Sequence, residues 1–144
     1  MPYRLIKTID GRRGGFLFMA GLSYILIGIA HIVTTPSVSS DLAFSWIPYF
    51  SITANTLGWM WVAAGIVMLI GSAFSAVHSR LESVGYVTSL VPPFVWAFIF
   101  CGSYLFGNPY GLRGGVAYVL ASILMYYIAG WPNGVRVKKK KEVS

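Results

Sequence analysis

Acidic side chains are scarce. The 144 residues hold four, Asp10, Asp41, Glu82 and Glu142, and charged residues make up only 10% of the chain where a soluble domain carries about 25%. None of the four lies inside a long apolar stretch. The spans therefore lack the buried carboxylates with which membrane enzymes, proton-coupled transporters and ion pumps work. Cysteine is almost absent as well: Cys101 is the only one, which excludes an internal disulfide and leaves no thiolate metal cluster. His31 and His78, far apart and without companion ligands, make no metal centre. No catalytic, cofactor-binding or metal-binding residues are expected, and the chain reads as non-enzymatic. Basic residues outnumber acidic ones for a net charge of +7, a balance that in a soluble protein raises nucleic acid as a partner. Here they collect at the two ends and in one short connector, so the partner they indicate is the lipid bilayer.

Apolar sequence fills the rest. A helix crossing about 30 Å of hydrocarbon needs roughly 20 apolar residues, and four such stretches occur, at about 14–33, 56–74, 84–106 and 114–131. The sequence predicts an all-α integral membrane bundle of four transmembrane helices over 14–131, with a basic N-terminal segment at 1–13 and a basic tail at 132–144. Lysine and arginine are retained on the cytoplasmic side of a membrane. Arg4, Lys7, Arg12 and Arg13 precede the first span, Arg80 lies between the second and third, and Arg136, Lys138, Lys139, Lys140 and Lys141 follow the fourth. The opposite side holds only Arg113. Both termini are thus expected in the cytoplasm, in a multi-pass protein of the plasma (inner) membrane. Arg12, Arg13, Arg136 and Lys138 to Lys141 act as topology and lipid-headgroup residues. Arg12-Arg13 also resembles a twin-arginine export signal, but an extra glycine and the lack of a cleavage site favour an anchor for the first helix.

Tryptophan and tyrosine prefer the headgroup region. Trp59, Trp61, Tyr104 and Tyr110 mark the outer boundary, and Tyr86, Tyr126, Tyr127 and Trp131 the inner one, while Trp96 falls mid-span against a helix or lipid. The outer connector, 34–55, has no basic residue but carries Leu42, Phe44, Trp46, Ile47, Tyr49 and Phe50. It is expected to lie along the interface or dip between helices, with Pro48 breaking it, either as a seal on the bundle or as a docking or gating element. Pro92 and Pro93 should kink the third span. His31, at the outer end of the first span, reads as an interfacial or helix-contact residue, with a pH-sensing or ligand role as the alternative. His78, Arg80 and Glu82 read as solvated connector residues, and Cys101 as a packing residue.

Small residues recur every seven positions: Gly14, Gly21 and Gly28 in the first span, Gly58, Gly65 and Ser72 in the second, Gly115, Ser122 and Ala129 in the fourth. Apolar side chains gain little by leaving lipid for one another, so helices associate through close backbone approach at such residues. A period of seven keeps the stripe on one face. These nine positions are expected to pack helix on helix, within the bundle or between protomers of a homo-oligomer. Arg13-Gly14-Gly15 and Arg113-Gly114-Gly115 also echo each other, without a matching relation between the middle spans.

The size, the four spans, the lack of catalytic groups and the lysine-rich tail resemble small four-span phage-encoded membrane proteins of the holin-like kind. The resemblance is one of hydropathy profile over the whole chain, with no motif from which functional residues could be carried over. It implies lateral association and permeabilisation of the bacterial plasma membrane during host cell lysis. The spans offer few hydroxyls for a water-filled lesion, chiefly Ser23, Thr88, Ser89, Ser103 and Ser122. The alternative is a non-enzymatic accessory or scaffold subunit of a larger membrane complex, and a substrate transporter is a poorer third.

Overall fold

Water is absent from the bilayer core, so each backbone N–H and C=O must find a partner within the chain, and a helix satisfies them segment by segment. The computed structural model describes residues 12–35, 37–47, 53–74 and 79–130, and all regular structure among them is helical. The helices are α1 (Arg12–Val33), α2 (Val38–Phe44), α3 (Ala54–Ala73), α4 (Ser79–Leu105) and α5 (Gly111–Ala129). All but the short α2 are long and apolar enough to cross a membrane. The chain is a multi-pass, all-α membrane protein.

Sequence signals set the helix ends. Ser37 caps α2 by accepting the Ser40 N–H at 3.3 Å, and Thr53 caps α3 by accepting the Thr56 N–H at 3.2 Å. Both hydroxyls satisfy a donor that the first turn leaves without a helical partner. The α4–α5 hairpin turns at Gly107, whose φ of +95° suits glycine. Asn108, buried in this turn, donates from Nδ2 to Ser103 Oγ at 3.2 Å and accepts the Tyr110 N–H at 3.0 Å.

The third spanning helix departs from the expected bounds. It begins at Ser79, five residues before Val84, and runs unbroken through Pro92 and Pro93. Its 27 residues make about 40 Å of helix, more than the hydrocarbon thickness. The early start brings Arg80 and Glu82 into the helix.

The helices pack as a row, α1 on α3, α3 on α4 and α4 on α5, while α1 also reaches α4 and α2 lies against α4 and α3. Leu17, Tyr24, Trp61, Met68, Tyr86 and Trp96 form the centre of the core. The outer faces of α1 and α5 are apolar and exposed, with Met19, Leu26, Leu120, Leu124 and Tyr127 all at least 59% accessible; in a bilayer these are the lipid-facing surfaces.

The seven-residue stripes of α1 and α3 meet each other, in antiparallel register. Gly21 lies against Gly65 and Gly28 against Gly58, and one step further Ser72 Oγ donates to the Gly14 carbonyl at 3.0 Å. A Cβ on Gly65 would stand 2.6 Å from the Gly21 carbonyl oxygen and 2.7 Å from Ile25 Cγ1; one on Gly28 would stand 2.6 Å from the Gly58 oxygen. Backbone faces backbone at these points. Gly15, by contrast, has nothing within 4 Å of a Cβ. Gly65→Ala is expected to destabilise the bundle by about 1–3 kcal/mol through overpacking, and Gly15→Ala to be neutral or stabilising by up to about 1 kcal/mol through helix propensity. Unfolding of the purified protein by dodecyl sulfate titration measures both, and equal stability of the two variants would refute the backbone-contact account.

Candidate functional site

Polar side chains within the spans gather at the end of the bundle where α1 begins, α3 ends and α4 begins. Arg13 on α1 and Glu82 on the first turn of α4 form an ion pair, Nε to Oε1 3.0 Å, a contact that is not aligned as a hydrogen bond. The Glu82 side chain is 3% exposed and that of Arg13 18%. The guanidinium carbon also lies 4.9 Å from the centroid of the Tyr86 ring, in cation–π contact, and the Tyr86 hydroxyl donates to the Arg13 carbonyl at 2.9 Å. The expectation of Glu82 as a solvated connector residue is therefore corrected. It is buried because α4 starts early enough to put position 82 against α1, and Arg13 supplies the countercharge that such burial requires.

A second fastening lies deeper. Proline has no N–H, so Pro93 leaves the carbonyl of Ser89, four residues earlier, without its helical donor. The Tyr24 hydroxyl of α1 donates to that oxygen at 2.7 Å, in a buried contact. Ser89 Oγ turns to the carbonyl of Tyr86 on its own helix at 2.6 Å. The proline that weakens α4 internally thus gives α1 a point of attachment.

Towards the other end an aromatic cluster fills the interior. Trp96, 1% exposed, stacks on His31 with ring centroids 4.9 Å apart and on Phe100 and Tyr118 at 5.6 Å, and Phe44 of α2 meets it edge-on. Trp61 packs edge to face on Tyr24 at 4.6 Å. The indole N–H groups of Trp61 and Trp96 are buried without a hydrogen-bond partner among the described residues. These rings are held by their faces. Trp96, expected mid-span against helix or lipid, is a central core residue; His31 is a helix-contact residue stacked on it.

The connector between the first two spans closes over this cluster as far as it is described. Trp46 lies on the backbone of Gly102, where the absence of a Cβ leaves room for its ring, and donates from Nε1 to the Ile99 carbonyl at 3.1 Å. Its ring stacks on Phe106 at 5.2 Å. Pro48, Tyr49 and Phe50 lie outside the described residues.

Of the periodic small residues on the fourth span, Gly115 packs on Cys101 of α4, Ser122 donates to the Tyr118 carbonyl of its own helix at 2.9 Å, and Ala129 is partly buried against the core. Gly111 and Gly114 lie outside that seven-residue pattern yet carry much of the α4 contact: a Cβ on Gly111 would stand 2.6 Å from the Phe100 carbonyl oxygen, and Gly114 lies directly on the Phe100 ring. The side chain of Arg12, and His78, Trp131, Arg136 and Lys138 to Lys141 entirely, lie outside the described residues. No group of three potential metal ligands occurs among the described residues. No protein family, curated protein or solved structure matches the chain.

Two outcomes are expected. Arg13→Ala strands a carboxylate that is almost fully buried and should cost about 3–5 kcal/mol, whereas Glu82→Ala should cost less, because Arg13 is partly exposed and its long side chain can extend to water. Tyr24→Phe should cost about 1 kcal/mol, within the range of interhelical hydrogen bonds in membranes. In a Pro93→Ala background it should cost nearly nothing, since the Ser89 carbonyl then regains its helical donor. Dodecyl sulfate unfolding of the two single variants and the double variant gives the coupling directly, and additivity would rule out the link between Tyr24 and Pro93.

Proposed function

We propose that this protein is a non-catalytic, multi-pass component of the plasma membrane, with both termini in the cytoplasm, that acts by lateral association in the bilayer as an accessory or scaffold subunit of a membrane complex. The observation that carries the reading is how its intramembrane polar groups are used. The Arg13–Glu82 pair, Ser72 to Gly14 and Tyr24 to Ser89 each join one helix to another, and bulky aromatic rings fill the space between the helices. Such an interior suits a rigid body that presents its outer surface to partners. The ten-to-one distribution of basic residues supports the orientation.

A specific observation also favours the holin-like reading. Among the residues of α5 only Gly111, Gly115 and Ile128 are buried, and the helix packs chiefly on α4. A helix held on one side can leave its neighbour for another copy at modest cost, and such exchange is the step a lesion-forming protein requires. Trp96 and Trp61 obstruct a path through the single bundle, so a lesion would have to form between protomers.

Induction of the protein alone in a bacterial host, with an equally expressed unrelated four-span protein as control, separates the two. The accessory reading expects continued growth and exclusion of a membrane-impermeant dye, followed by co-purification of a membrane protein at fixed stoichiometry. Abrupt dye uptake after a delay, absent from the control, would replace it with the permeabilising reading.

A further inference from the structure

The row of spanning helices has two ends, α1 and α5, and each presents a stripe of exposed side chains spaced alternately four and three residues apart, the spacing of a single helix face. On α5 the stripe is Arg113, Ala117, Leu120, Leu124 and Tyr127. On α1, counted from the same end of the bundle, it is Val33, Ala30, Leu26, Ser23 and Met19, and all ten positions are exposed. Both stripes run for about 21 Å. Chain direction alternates along the row of α1, α3, α4 and α5, so a second copy added at the α5 end, and inserted in the membrane in the same sense, sets its α1 antiparallel to α5, as α1 is already set on α3.

Apolar side chains gain little by leaving lipid for one another, so the occupant of these faces is chosen by charge. The connector between the first two spans and that between the last two hold one acidic residue, Asp41, and one basic residue, Arg113. Both are exposed, and neither has an ion-pair partner among the described residues, where the pair is Arg13 with Glu82. Arg113 heads the α5 stripe that faces away from α4. Asp41 stands towards the other end of the row: it lies on α2 between the end of α1 and Phe44, whose ring meets Trp96 beside His31 of α1. One copy therefore carries an unpaired cation towards one end and an unpaired anion towards the other. A lipid phosphate answers only the cation, whereas a second copy of the chain answers both.

We infer that copies of this protein associate head to tail, the outward stripe of α5 lying on the outward stripe of α1 of a second copy and Arg113 pairing with Asp41 of that copy. The inference rests on the lateral association proposed above and names its partner and its surface. With Arg113 level with Val33, Ala117 comes beside Ala30 and Leu124 beside Ser23, so small side chains meet where the two helices need to approach. Guanidinium and carboxylate add a charge-assisted contact at the outer end. The two copies use different surfaces, which leaves one α1 stripe and one α5 stripe open after each addition, and assembly continues past the dimer.

Disulfide trapping in bacterial inner-membrane vesicles tests the contact, with the full-length chain carrying Cys101→Ser, Ala30→Cys and Ala117→Cys. Oxidation is expected to give a ladder of linked species beyond the dimer, several-fold stronger than from a chain with Ala63→Cys, on the exposed face of α3, in place of Ala30→Cys. Arg113→Glu or Asp41→Arg alone should weaken the ladder several-fold, and the two together, which exchange the charges, should restore it. Linkage that stops at the dimer, equal linkage through position 63, or a ladder unmoved by either single reversal would overturn the contact. Co-purification of two differently tagged copies reports separately whether copies associate at all: if they do not, while another membrane protein co-purifies, the accessory-subunit reading stands and the head-to-tail contact falls.

Discussion

The contact of α1 with α3 at Gly21, Gly28, Gly58 and Gly65 is the constraint on which the other packing rests. Two helices in lipid gain little by exchanging acyl chains for apolar side chains, so they need backbone surfaces that come close over a long distance. Antiparallel stripes with the same period of seven provide this. Once Gly21 meets Gly65 and Gly28 meets Gly58, the register of the pair is fixed, and the remaining positions are set with it. Gly14 arrives at Ser72, and Leu17 comes against Gly85 of α4, which itself lies on Gly71 of α3. Arg13 then stands where α4 must begin. The charge of Glu82 is tolerable in the interior only because that register delivers its partner.

Much of this was legible in the sequence, and the parts that were not have physical reasons. The four spans could be read because their length and apolarity are set by the bilayer, and the α1 and α3 stripes because small residues at one period leave few alternatives. The start of α4 was not legible. Ser79, Arg80 and Glu82 are polar, and hydropathy alone assigns polar residues to the connector; the helix extends there because Glu82 finds Arg13, a pairing between residues 69 positions apart. One signal was present: Glu82 lies two residues before the expected start of the third span, on the same side as Arg12 and Arg13. The link between Tyr24 and Ser89 carried a signal of another kind, because a proline always leaves the carbonyl four residues earlier short of a donor. The sequence supplies the unmet acceptor, and only the packing of α1 on α4 supplies Tyr24.

The fourth spanning helix shows how far periodicity can be taken. Gly115, Ser122 and Ala129 repeat every seven residues as the α1 and α3 stripes do, yet they do not form a continuous backbone contact with a partner stripe. α5 approaches α4 most closely near the hairpin, through Gly111, Gly114 and Gly115, where Gly107 and the buried Asn108 turn the chain tightly. The spacing of three and four residues there matches one helix face and was a better guide than the longer period. Further along, Ser122 lines an open apolar groove between α4 and α5, and beyond it Ile128 is again buried in the core.

This gradation divides the bundle into two mechanical parts. α1, α3 and α4 are tied by backbone contact, a buried ion pair and three interhelical hydrogen bonds from the hydroxyls of Tyr24, Ser72 and Tyr86, each of which requires the register of the others. α5 is joined to α4 at the hairpin and then leans on it through side chains, with Tyr118 as its main reach into the aromatic core. Binding a neighbour through the α1 face would leave every fastening of the three-helix part in place. Binding through the α5 face competes only with lipid and with the looser half of the α4 contact, so it is on α5 that the cost of exchanging one helix neighbour for another is lowest.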